Sequence, residues 1–179
     1  LQEASFPILS ANVGPAGLLP VRPYVVVQAS GHTVALVGVT SPGARQQGPI
    51  LGTSLTIDDP VQAVQRTVQE LQGQAEVIVV LSDLDGALNN RLASEVAGID
   101  AILGLHGGGY SPASAVQGPA GTVVLQAPGK EGQGLGVLTL HFDAGGQVVD
   151  YQGEIRLLTP DYADDPAMLD LMRRYGAQP

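Results

Sequence analysis

Two short segments of this 179-residue chain carry residues whose types and spacing could do chemistry. Ser82-Asp83-Leu84-Asp85-Gly86 places two carboxylates after a continuous apolar run and before a helical pattern. Carboxylates at the C-terminal end of a parallel strand can ligate a divalent cation. Asp85 can instead cap the helix that follows, and the spacing favours the cap. The second segment runs from Ile102 to Gly109 (ILGLHGGG). It puts His106 just past another apolar run, in a loop where Gly104, Gly107 and Gly108 let backbone come close to a ligand. Two readings stay open for it: a simple turn capped by His106, or a ligand loop. As a phosphate cradle the segment is weak, because it lacks the Lys and Ser/Thr of a P-loop and no helix pattern follows it. Of the three histidines, His32 in a tight turn and His141 between Leu140 and Phe142 read as solvated surface residues. No nucleophile elbow or Ser-His-Asp set can be singled out. The Ile102 to Gly109 segment therefore holds too few metal ligands and bases to be a complete hydrolytic centre alone.

Both segments depend on the elements before them. Asp58 and Asp59 precede Pro60, and Val61, Val64, Val68 and Leu71 recur at helical spacing until Gly73, which predicts a capped helix. Glu76 to Leu81 (EVIVVL) carries a continuous apolar run after its opening glutamate, the pattern of a strand covered on both faces. A second helix is expected from about Ala87 to Val96, and a short strand from Asp100 to Leu103. Strand, helix, strand, helix, strand implies parallel pairing with right-handed crossovers, and loops after such strands are where α/β sheets put ligands. Upstream, Phe6 to Val13 reads as a short buried strand, and Tyr24 to Ala29 with Thr33 to Val39 as a hairpin. Ser41 to Gly52 reads as an exposed loop. Downstream, Thr122 to Ala127, Leu135 to Phe142 and Gln147 to Leu158 read as peripheral antiparallel strands, the last two joined by a turn at Asp143 to Gly146. A terminal helix capped by Asp165 runs from Pro166 to about Tyr175, with Met168, Leu171 and Met172 on one face.

Composition narrows the function classes. The chain is 44% hydrophobic, with only five Tyr, two Phe and no Trp, so its core is aliphatic and suits buried strands. Seventeen acidic against eight basic residues give a net charge of -9, and the basic residues form no stripe. Duplex nucleic acid is excluded as a partner on that ground, since its affinity rests on neutralising phosphates. With no cysteine there is neither a disulfide nor a thiolate site. No apolar run is long enough to span a bilayer. The chain begins at Leu1 rather than Met, which suggests that upstream residues have been removed.

From Asp59 to Gly108 the sequence resembles the second half of the metallophosphatase domain of the 5'-nucleotidase and UshA-like family, within the calcineurin-like phosphoesterases. Three flanking segments fit the same family: FPILSANV, GHTVALVGVTSPG and VVLQAPGKEGQGLGVLTLHFD. The resemblance covers about Phe6 to Phe142 and rests on the order of several segments. It implies part of a four-layer α/β/β/α sandwich, with parallel βαβ units followed by antiparallel strands. Residues 1–158 would form a metallophosphoesterase-like domain, and 159–179 a helix or linker.

The resemblance also implies a two-metal centre that activates water for phosphoester hydrolysis. The family's Asp-x-His, Gly-Asp and Gly-Asn-His-Glu motifs would all fall before Leu1. Asp83 stands where the family's Ser-His loop carries its His. His106 matches the first His of the Gly-His-x-His loop, and Gly108 stands where that loop's second ligand belongs. On this reading Asp83 and His106 are vestigial metal ligands and Gly104, Gly107 and Gly108 a ligand loop. The chain alone would hold no cofactor, and Mn, Zn or Mg would enter only if an upstream segment completed the site. Such a segment, or another domain of a larger protein, is the implied partner, and a periplasmic or extracellular location is implied by the family. The leading expectation is a catalytically degraded domain acting as scaffold or binding module. The alternatives are the C-terminal half of an active phosphohydrolase, and a non-catalytic binder of an anion or nucleotide.

Overall fold

The continuous apolar runs of the sequence become the middle of a six-stranded sheet. The computed structural model describes residues 5–15, 19–46, 55–106, 111–126 and 133–176. The first strands are short: β1 (Ile8–Leu9), β2 (Val13–Gly14) and β3 (Val21–Arg22). A hairpin follows, β4 (Tyr24–Ala29) and β5 (His32–Val39), then a 3-10 turn at Pro42–Gln46 and β6 (Thr56–Ile57). Next come α1 (Pro60–Glu70), β7 (Val77–Ser82), α2 (Gly86–Glu95) and β8 (Ala101–Gly104). The chain continues through β9 (Ser111–Ala115), β10 (Val123–Gln126), β11 (Gly134–Phe142), β12 (Val148–Leu157) and α3 (Pro166–Arg174). The main sheet has the order β4-β5-β7-β8-β10-β9, with β5, β7, β8 and β10 parallel and the two edge strands antiparallel. This is the mixed α/β class expected, parallel βαβ units followed by an antiparallel ribbon of β11 and β12.

Helix α1 forms where its signals predicted. The Asp59 side chain accepts a hydrogen bond from the Gln62 N–H at 2.9 Å, and Pro60 occupies the first turn, where a missing N–H costs nothing. Its buried stripe of Val61, Val64, Val68 and Leu71 packs with Leu92, Ala93 and Val96 of the α2 region onto one face of the sheet. Ala35, Val37 and Val39 of β5, Ile78 and Val80 of β7, Ile102 of β8 and Val124 of β10 meet them there. The period of two in a strand sends the alternate residues to the opposite face. On that side Val34, Leu36, Val79, Leu81 and Leu103 are only half-buried. The ribbon of β11 and β12 stands beside this face across a cleft of about 410 Å³, lined by Val34, Val77 and Val79 against Leu138, Leu140 and Phe142.

Several expectations are corrected. Phe6 to Val13 is not one buried strand: Phe6 is exposed, the strands there are dipeptides, and the buried residues are Ser10 and Asn12. Thr122 to Ala127 is not peripheral and antiparallel. Its described part, β10, is buried throughout and pairs in parallel with β8, with Val123 opposite Ala101 and Gln126 opposite Gly104. A run such as Val123-Val124-Leu125, apolar at consecutive positions, is what burial on both faces demands. The antiparallel edge is supplied instead by β9, a strand the sequence did not announce, with Pro112 tolerated because the strand lies on an edge. Helix α3 has its expected cap, Asp165 accepting from the Met168 N–H, yet no residue of α3 is buried.

Candidate functional site at the C-terminal edge of the sheet

Parallel strands β5, β7, β8 and β10 all end on the same edge, so the segments that follow them converge. Hydrogen bonding between strands carries one residue beyond the strand ends: the Asp83 N–H donates to the Val39 carbonyl at 3.0 Å, and the Leu105 N–H to the Ser82 carbonyl at 2.9 Å. This delivers Asp83 and His106 to neighbouring positions. Asp83 Oδ1 lies 3.3 Å from His106 Nδ1, and Asp83 Oδ2 accepts from the Ser41 N–H at 3.3 Å. About half of each side chain of the pair is open to solvent. A pair so exposed contributes about 0–1 kcal/mol to stability, so its position needs another cause.

That cause lies beneath it. The Ser82 hydroxyl donates to Asn89 Oδ1 at 2.6 Å, Asn89 Nδ2 donates to Gln126 Oε1 at 2.9 Å, and Gln126 Nε2 donates to the His106 carbonyl at 2.6 Å. Ser82 Oγ also accepts from the Leu84 N–H at 3.0 Å, and Asn89 Nδ2 reaches the Leu84 carbonyl at 3.1 Å. Ser82, Asn89 and Gln126 are all buried. The two amides cross directly over Gly104, where an added Cβ would sit 2.1 Å from Gln126 Oε1 and 2.6 Å from Asn89 Nδ2. Gly104 is thus required by a close approach of the chain's own side chains. A second polar corner fixes the segment after β5. Asn12 accepts from the Thr40 N–H at 2.9 Å and donates to the Thr40 and Asp58 carbonyls at 2.8 and 3.2 Å, with Ser10 bonded to both Asn12 and Thr40.

Asp85 caps α2, accepting from the Leu88 N–H at 2.9 Å, and takes no part in the pair. The two carboxylates of the Ser82 to Gly86 segment therefore divide: one faces the site and one holds a helix. Gly107 and Gly108 lie outside the described residues. His32 opens β5 at the opposite end of the sheet, 3.7 Å from Glu76 and with its ring 5.3 Å from that of Phe142. His141 is exposed on β11. Neither joins His106. Asp100, also far from the site, accepts from the Ile78 N–H at 2.8 Å, and burial pushes its carboxyl above the usual range while that hydrogen bond works to lower it.

Among the described residues no three His, Cys, Asp or Glu side chains come close enough to share a metal ion. Asp83 and His106 alone do not fit a two-metal centre, which needs further ligands around each ion. The residues that sequence reasoning missed are Asn12, Ser82, Asn89 and Gln126. All but Asn12 carried a signal: Ser82 and Gln126 end apolar runs, and Asn89 sits inside a helix, where Asn is a poor former without a tertiary partner.

No protein-family model matches the chain. It is 30% identical over 195 residues to human 5'-nucleotidase, covering 94% of this chain and 33% of that protein. It is 26% identical to the snake venom 5'-nucleotidase of Naja atra, covering 99% of this chain and 38% of that enzyme. The chain thus spans about a third of the length of the curated relatives it matches. Among solved structures, the 5'-nucleotidase precursor from Thermus thermophilus superposes with a TM-score of 0.81 at 30% identity, over 98% of this chain and 39% of that one. A calcineurin-like phosphoesterase from Bacillus subtilis gives 0.75 at 23% identity, over 97% and 62%, a likeness of fold.

Proposed function

Because the chain matches part of the 5'-nucleotidase and UshA-like family, with calcineurin-like phosphoesterases as structural neighbours, we propose that it is a catalytically degraded metallophosphoesterase-like domain serving as scaffold or binding module. One observation supports this reading: among the described residues the site edge brings Asp83 and His106 together with no third His, Cys, Asp or Glu close enough to share a metal ion. By resemblance Asp83 replaces a His ligand and Gly108 replaces a side chain that could ligate, and glycine offers no donor. When bound, metal ions in such a centre polarise phosphoryl oxygens and activate water. In this chain the Asp83 carboxylate instead accepts from Ser41 and faces the His106 imidazole.

The half-buried apolar face of Val34, Leu36, Val79, Leu81 and Leu103 supports a partner layer from another part of a larger protein, as in the four-layer arrangement. A sheet apolar on both faces buries each against another layer, and the β11–β12 ribbon stands beside this one across an open cleft. The absence of buried residues in α3 supports reading 159–179 as a helix or linker outside the domain 1–158. No helix among the described residues is long and apolar enough to cross a membrane. The venom enzymes among the relatives support an extracellular or periplasmic location.

The test is hydrolysis of 5'-nucleotides and a generic phosphomonoester by the full-length protein with Mn, Zn or Mg added. Rates at the uncatalysed background are expected. Metal-dependent turnover lost in His106→Ala would sink the degraded reading and favour the alternative suggested by the length of the relatives, an active phosphohydrolase completed by another segment.

A further inference from the structure

The His106 loop has little of its own to hold it. His106 lies two residues past the end of β8, and its imidazole is half-exposed. The last sheet hydrogen bond is made by Leu105, one residue earlier. Yet a single buried set of side chains grips both sides of the Asp83–His106 pair. It holds the N–H and the carbonyl of Leu84, the residue after Asp83, and it holds the carbonyl of His106.

We propose that Gln126 is the positioning residue of this site, and that the bridge Ser82–Asn89–Gln126 sets the separation of the Asp83 carboxylate and the His106 imidazole. The donation runs one way through it. Ser82 O–H points to Asn89, Asn89 N–H to Gln126, and Gln126 N–H to the His106 carbonyl. Each link orients the next, because an amide that accepts on its oxygen must present its nitrogen on the other side. Hydrogen bonds aligned in this way polarise one another in a low-dielectric interior. Ser82, by donating to Asn89, keeps a lone pair for the Leu84 N–H, so the direction that holds His106 also holds the residue beside Asp83. The open space over Gly104 is what lets the two amides meet. The proposal is independent of whether the site turns over substrate, since it concerns the geometry of the pair.

Gln126→Glu separates this role from bulk stability. A carboxylate still accepts from Asn89 but turns an acceptor toward the His106 carbonyl, which must then move away. The experiment uses the full-length protein with ring-labelled histidine, at one fixed pH. The displacement of the His106 ring signals caused by Asp83→Asn is measured in the parent and in Gln126→Glu. His32 and His141 serve as internal references. The displacement is expected to fall at least twofold in Gln126→Glu. Val124→Ala, which opens a cavity beside the bridge without touching it, is expected to keep the full displacement. Equal displacement in the parent and in Gln126→Glu overturns the proposal, and so does an equal loss in Val124→Ala, which would assign the effect to general loosening. Should Gln126→Glu fail to fold, Gln126→Met, uncharged and of similar length, carries the same comparison with the same two outcomes. Phosphatase activity is recorded in parallel, so a degraded-site reading that fails leaves this result readable.

Discussion

Replacing Asn89 by Ala removes one side chain and strands three buried groups. The Ser82 hydroxyl loses its acceptor, and the Leu84 carbonyl and Gln126 Oε1 lose the Asn89 N–H donors. A buried polar group left without a partner costs about 1–3 kcal/mol. Three of them sum to about 3–6 kcal/mol if each sits toward the lower half of that range. Ala is the better helix former by roughly 0.6 kcal/mol, which offsets a little of this. The net expectation is a loss of about 3–5 kcal/mol, a large share of the roughly 5–15 kcal/mol that holds a domain together. Urea denaturation of Asn89→Ala measures it, with the slope unchanged so that the midpoint shift reports stability. Asn90→Ala is the control: Asn90 is the next residue of the same helix, is exposed, and makes the same change in helix propensity. It should be neutral or slightly stabilising. If Asn89→Ala falls within about 1 kcal/mol of Asn90→Ala, the bridge does not hold the two loops and the account of the site is wrong.

The two capped helices should respond differently to the same substitution. Asp59→Ala should lower global stability by about 1 kcal/mol because α1 packs on the sheet, whereas Asp165→Ala should fray α3 in circular dichroism and leave the unfolding midpoint unchanged. Asp100 tests the sign of a buried charge. Burial raises its folded-state pKa, so the folded chain holds that proton more tightly than the unfolded chain. Its contribution is fully present below the unfolded pKa and is lost as pH rises through the folded one. Asp100→Asn should remove that loss, making the variant gain on the parent as pH rises above the ordinary carboxylate range; a difference that stays constant from below that range up to neutral pH would refute the assignment. Restoring ligands should restore metal affinity: Asp83→His combined with Gly108→His in the full-length protein should bind Zn or Mn at least tenfold more tightly than the parent by calorimetry. Unchanged affinity would count against these positions as the degraded ones.

What was legible in the sequence follows from how local each determinant is. Helix α1 could be read residue by residue because Asp59, Pro60 and the valine stripe act within a few positions of one another. The placement of Asp83 and His106 was legible as soon as β7 and β8 were taken as parallel, since both must then end on one edge. Strand β10 was misplaced because its neighbour in space, β8, is separated from it by β9, and nothing in Thr122 to Ala127 states which strand it joins. The bridge escaped for the same reason. Asn89 and Gln126 are meaningful only together, and they are 37 positions apart. The sequence leaves Gly104 open between a turn and room for a ligand, whereas in the fold its space is taken by those two amides.

That separation has a consequence for the order in which the protein is made. A ribosome adding about 5–20 residues per second needs roughly 2–7 s to travel from Asn89 to Gln126. During that interval α1, β7, α2 and β8 can emerge and associate, but the Asn89 amide has no Gln126 oxygen to accept its hydrogen bond. The nascent chain must keep that amide hydrated until β10 arrives beside β8. The His106 loop is therefore among the last parts of the edge to take its final shape, and a pause in translation just before the codon for Gln126 would prolong the exposure of a half-built polar core.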